Sequence, residues 1–122
     1  MSELQLEQYF NNRRIIDATM RQLEKDFSLD EDSVQLKDYQ GNLFEQLFEV
    51  VYPIINKLIT NNYQQFLNTL YRIDVNEFKL KQEMAKVDAN QYSEVVTRLV
   101  LQKELQKVII RNIYSTRNDI TN

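Results

Sequence analysis

Three groups of residues have types and spacings that could do chemistry. Lys103, Lys107 and Arg111 are spaced at four, so on a helix they stack on one face. A basic stripe of this kind is the usual footprint of phosphate contact, because each cation can displace condensed counterions. The same stripe also complements a helix dipole and keeps a surface solvated. Asp30-Glu31-Asp32, with Asp26 and Asp38 nearby, offers oxygen ligands in no defined order and reads as a solvated acidic face. Seven tyrosines form the third group, of which Tyr9, Tyr63, Tyr71, Tyr92 and Tyr114 suit the boundary of a helical core. Those near Arg72 and Asp74 would line a ligand pocket if the fold brought them together.

The residue types that are missing narrow the chemistry. The chain has no cysteine and no histidine, which excludes thiolate nucleophiles, Cys/His metal sites and histidine-dependent triads. Its one glycine excludes the glycine-rich phosphate loops, whose backbone must approach the phosphates closely. No catalytic, cofactor-binding or metal-ligating residues are assigned, and the expectation is a protein that is not an enzyme.

The elements that must position these residues are helical. One glycine and one proline in 122 residues are too few turn formers for a sheet protein. The punctuation is instead a capping pattern, an Asn, Asp or Ser followed three residues later by Glu or Gln, at Ser28/Glu31, Asn42/Glu45, Asn62/Gln65, Asp74/Glu77 and Asp88/Gln91. The predicted fold is an all-α, irregular helical bundle of four to five helices in a single domain over 1–122, with a frayed C-terminus at 117–122.

The first helix is predicted from about Glu3 to Asp26, with an apolar seam of Leu6, Tyr9, Ile16, Met20, Leu23 and Phe27 that includes Arg13. Arg13 either covers apolar surface with its stem or makes a specifying contact with a carboxylate, within the bundle or across a dimer interface. Residues 28–41 are predicted to be a short helix or ordered loop anchored by Val34, Leu36 and Tyr39, ending at Gly41. The second long helix begins at Asn42 and is kinked at Pro53. A short third helix carries Phe66 and Leu70, and Asp74 is expected to cap a fourth, more polar one.

The last helix, predicted over about 89–115, has two apolar stripes. Tyr92, Val95, Val96, Leu99, Ile110, Ile113 and Tyr114 lie on one side, with Leu101, Leu105 and Val108 nearly opposite. Such a helix is either central in its own domain or sandwiched between its domain and another molecule.

The leading reading is therefore a non-enzymatic interaction or regulatory domain that self-associates as a homodimer or binds another protein, with Arg13, Leu101, Leu105 and Val108 as candidate interface residues. The alternative is a nucleic-acid-associated accessory protein that contacts phosphate through Lys103, Lys107 and Arg111. Met1-Ser2-Glu3-Leu4-Gln5 has neither the basic nor the apolar part of a signal peptide, and the apolar runs are too short to span a membrane. The expected location is cytoplasmic.

Overall fold

The computed structural model describes residues 3–38 and 40–121, with side-chain surroundings described for 5–38 and 40–115. Tyr39 and the frayed end expected at 117–122 fall outside those side chains. Among the described residues the architecture is all-α: α1 (Glu3–Glu7), α2 (Arg13–Asp26), α3 (Leu43–Asn61), α4 (Tyr63–Arg72), α5 (Glu77–Met84) and α6 (Tyr92–Thr121), with one 3-10 turn at Ala89–Gln91 before α6.

The expected first helix is two helices, for a reason found 30 residues further along. The opening N–H groups of a helix have no partner within it. In α3 these donors are met from outside: Leu43 N–H by the Asn11 side chain at 2.9 Å, Phe44 N–H by the Phe10 carbonyl at 3.0 Å, and Glu45 N–H by the Asn42 side chain at 3.1 Å. Phe10 also stacks on Phe44, with ring centroids 4.2 Å apart. Residues 8–12 leave the helical path to make these contacts. Asn12 then restarts the helix by accepting from Ile15 N–H at 3.1 Å. Arg13, expected within an apolar seam, instead opens α2 on the exposed surface.

Asn42, Asn62 and the Asp88/Gln91 pair cap helices as their sequence pattern suggests. Ser28 and Asp74 do not. Each lies just beyond a helix end at positive φ, 54° and 65°. The Leu29 N–H reaches the Glu24 carbonyl at 2.8 Å and the Val75 N–H reaches the Leu70 carbonyl at 3.1 Å. This is the left-handed closing turn that satisfies the last carbonyls of a helix. Asn76 takes the capping role assigned to Asp74, accepting from Lys79 N–H at 3.1 Å.

Residues 28–38 and 40–41 form an ordered loop rather than a helix. Val34 and Leu36 are buried, and the buried Glu24 carboxylate accepts from Val34 N–H at 2.8 Å while pairing with Arg21 at 2.6 Å. Pro53 lies inside a continuous α3 on its exposed side, where water can satisfy the carbonyl that the missing N–H leaves free.

α6 runs antiparallel to α3 through Ser93 with Asn56 and Arg98 with Glu45, and antiparallel to α2 through Lys107 with Asp26 and Arg111 with Gln22. Enclosed on these sides, Val96, Val100, Leu101, Leu105 and Ile109 are essentially inaccessible, and Val108 is 5% exposed. The second apolar stripe is therefore part of the chain's own core, which leaves Leu101, Leu105 and Val108 off the surface that an interface would use. The first stripe runs out into solvent at Ile110, Ile113 and Tyr114.

Each buried Leu or Ile contributes about 1.5–3 kcal/mol by leaving water, and truncation adds the cost of the space left behind. Leu105→Ala is expected to lose about 2–5 kcal/mol of stability. Asn12→Ala, which removes one cap, should lose about 1 kcal/mol. Urea unfolding followed by circular dichroism measures both.

Candidate interaction cleft

α4 and α5 are short, joined by the tight turn at Ile73–Asn76, and α5 has no fully buried residue. Two short helices meeting a long one at such a turn leave an opening. A cleft of about 1200 Å³ lies between α4, α5 and α6, lined by apolar Leu67, Leu70, Val75, Leu80 and Met84 together with Tyr63, Tyr71, Phe78, Asp74 and Lys103. Tyr71 and Asp74, far apart from Tyr92 in sequence, thus come together with Tyr92 and Tyr63 as a pocket lining. Arg72 points elsewhere and donates to the Asp26 backbone carbonyl.

The lining is unusually exposed for its chemistry. Tyr71 is 83% and Phe78 70% accessible, and Tyr63 is 46% accessible. Tyr63 and Tyr92 approach with hydroxyls 3.1 Å apart, so one phenol donates to the other. Burial, with the Tyr63 hydroxyl second, pushes the Tyr92 phenol further above its ordinary range and keeps it neutral. The Asp74 carboxylate is almost fully solvated, with Lys103 Nζ 3.9 Å away. This cleft offers ring faces, phenol hydroxyls and a balanced ion pair, which suits recognition of an apolar or aromatic group with a polar edge.

The basic stripe has a different placement from the one its spacing suggests. Lys107 Nζ lies 3.1 Å from Asp26 Oδ2 and 3.7 Å from Glu104 Oε1. Arg111 donates to Gln22 Oε1 at 2.6 Å, and Lys103 faces Asp74. All three cations are turned to partners in the chain. Arg98, not part of the stripe, makes a two-pronged pair with Glu45 at 3.0 and 3.2 Å and lies 4.1 Å over the Phe48 ring.

Asp26 and Glu104 are the ionisable residues that sequence reasoning did not single out as a pair. Glu104 is completely buried. Burial pushes its carboxyl up to about 8, aided by the neighbouring Asp26 carboxyl and opposed by Lys107. For Asp26, burial acts upward too, but hydrogen bonds from Glu104, Gln22 and Lys107 outweigh it and hold the group below its usual value. A signal was present in the sequence: Glu104 is three residues after Leu101 and four before Val108, inside the apolar stripe.

Among the described residues, no group of three or more His, Cys, Asp or Glu side chains is placed to hold a metal ion, and no helix is long and apolar enough to cross a membrane. No protein-family model, no curated protein and no solved structure matches the chain.

Lys107→Met leaves Asp26 without its cationic donor in a partly buried site. The expected loss is about 1–2 kcal/mol at neutral pH, measured by urea unfolding, with no change in the Tyr63–Tyr92 pair.

Proposed function

We propose that the protein is a non-enzymatic interaction domain that self-associates, docking the exposed apolar stripe of a second copy's α6 into the α4–α5–α6 cleft. The observation that carries this reading is the exposure of Tyr71 and Phe78 on an apolar cleft. Exposed aromatic side chains grouped on one concave surface are the residues that dominate interface energetics, since each removes a large apolar area from water on docking.

The second half of the interface is supplied by the same chain. Ile110, Ile113 and Tyr114 are 40%, 37% and 60% exposed at spacings of three and four along α6, the pattern by which a helix presents anchors to a groove. Two copies that exchange this stripe reciprocally form a closed pair, because each contributes both the cleft and the stripe. The neutral Tyr92 phenol and the solvated Asp74 in the cleft support binding over acid-base chemistry. The nucleic-acid reading draws no support from a stripe whose cations are engaged within the chain. A cytoplasmic setting accords with this reading.

Light scattering across a range of protein concentrations is expected to give a mass near twice 14.7 kDa for the wild type. Phe78→Glu and Ile113→Glu should each shift it toward 14.7 kDa with the circular dichroism spectrum unchanged, as both side chains are on the surface. A wild type that stays at the single-chain mass throughout defeats the self-association reading. Dissociation by neither variant defeats the assignment to these two surfaces.

A further inference from the structure

The Asp26–Glu104 cluster lies outside the cleft and has a property that packing alone does not require. Glu104 projects from α6 into the contact with α2, fully buried, and as a carboxylate neither of its oxygens has a hydrogen-bond donor. Lys107, its nearest cation, is closer to Asp26 than to Glu104, at 3.1 against 3.7 Å. Asp26 Oδ1 accepts from Gln22 Nε2 at 3.0 Å, and Gln22 is in turn held by Arg111. The Arg72 guanidinium, at the end of α4, is committed to the Asp26 backbone carbonyl. The charges acting on Glu104 are thus Asp26 from α2 and Lys107 from α6, one repelling and one attracting.

Two facing carboxylates are both acceptors and cannot bond to each other, and a buried charge without donors is strongly disfavoured. One proton resolves both difficulties. We propose that Glu104 is a buried proton switch: at neutral pH it is protonated and donates to the Asp26 carboxylate across the α2–α6 contact, and its ionisation in alkali loosens the C-terminal end of α2 from α6. The assignment of the proton to Glu104 follows from the surroundings. Asp26 has Gln22 and Lys107 as donors to stabilise its charge, whereas Glu104 has neither at hydrogen-bond distance. Arg72 ties the end of α4 to the same backbone carbonyl, so movement of the α2 end reaches α4 as well. The switch needs only this cluster and is independent of whether the cleft binds anything.

The sign of the pH dependence follows from the direction of the shift. The native chain holds the Glu104 proton up to about pH 8, while an unfolded chain releases it near 4.5. Between those values the native state binds one proton more than the unfolded state, so stability falls as pH rises and levels off above the native value.

Carbon-detected NMR of the side-chain carboxyls, combined with urea unfolding across pH, tests the proposal. One glutamate is expected to titrate near 8, and Glu104→Gln should remove that titration. Relative to Glu104→Gln, the folded-to-unfolded ratio of the wild type should fall about tenfold per pH unit across that window. Asp26→Asn places an amide donor opposite Glu104 and should return its titration toward the ordinary carboxylate range, which a merely space-filling role would not do. The proposal is overturned if every glutamate titrates in the ordinary range, or if wild type and Glu104→Gln share one pH dependence. Should Glu104→Gln fail to fold, a Glu104 titration unmoved by Asp26→Asn overturns it equally.

Discussion

Between Val96 and Ile109 the last helix is enclosed by α3 along its first part and by α2 along the next, and this two-sided enclosure fixes where the remaining elements can go. A helix with one solvent face needs one apolar stripe, whereas this one carries apolar residues on opposing sides. Placing it centrally buries apolar residues of both stripes between Val96 and Ile109 within one chain, and leaves the first stripe exposed at Ile110, Ile113 and Tyr114. The cost is local: any polar residue within that stretch must find its partners inside the protein. Arg98 and Lys107 do so by reaching Glu45 and Asp26 at the margins of the helix contacts, and Arg111, just beyond the stretch, reaches Gln22.

Glu104 is the residue for which that constraint is sharpest. Its side chain has no exposed surface and no hydrogen-bond donor, and the proton proposed to lie between it and Asp26 spares it a buried charge without donors. Buried polar pairs of this kind restrict how two helices can slide, since a shift of register would separate the carboxyls and leave Glu104 unsatisfied, while Asp26 keeps Gln22 on its own helix. The α2–α6 contact thereby combines apolar burial with a specific polar alignment, and it is fastened to α4 by Arg72. α5 has no such anchoring, and the cleft opens beside it.

Much of the fold was legible in the sequence because it rests on local rules. Helical periodicity located α3, α4 and α6, and side-chain caps located Asn42, Asn62 and Asp88. The break between α1 and α2 was not legible, because its cause is nonlocal: Phe10 and Asn11 satisfy backbone donors of α3. Ser28 and Asp74 fit a capping pattern but close the preceding helices, since the pattern does not distinguish a residue that starts one helix from one that ends another. At the site, the grouping of Tyr71 and Asp74 was visible as an option and the pairing of Glu104 with Asp26 was not. Helical spacing places Glu104 in the stripe, but spacing does not say which residue faces it from α2. The same limit applied to Leu101, Leu105 and Val108, which periodicity allowed as either core or interface and which were assigned as candidate interface residues, whereas the chain's own helices bury them.

The fold depends most directly on the middle of α6 being enclosed by its own chain. Amide hydrogen exchange, followed at increasing protein concentration, measures this without altering a residue. The slowest exchange is expected over residues 100–109 at every concentration, because exposing these amides requires opening the chain itself. Protection of that segment that is weak in dilute solution and grows with concentration would contradict the account, and would show instead that a second molecule covers the stripe.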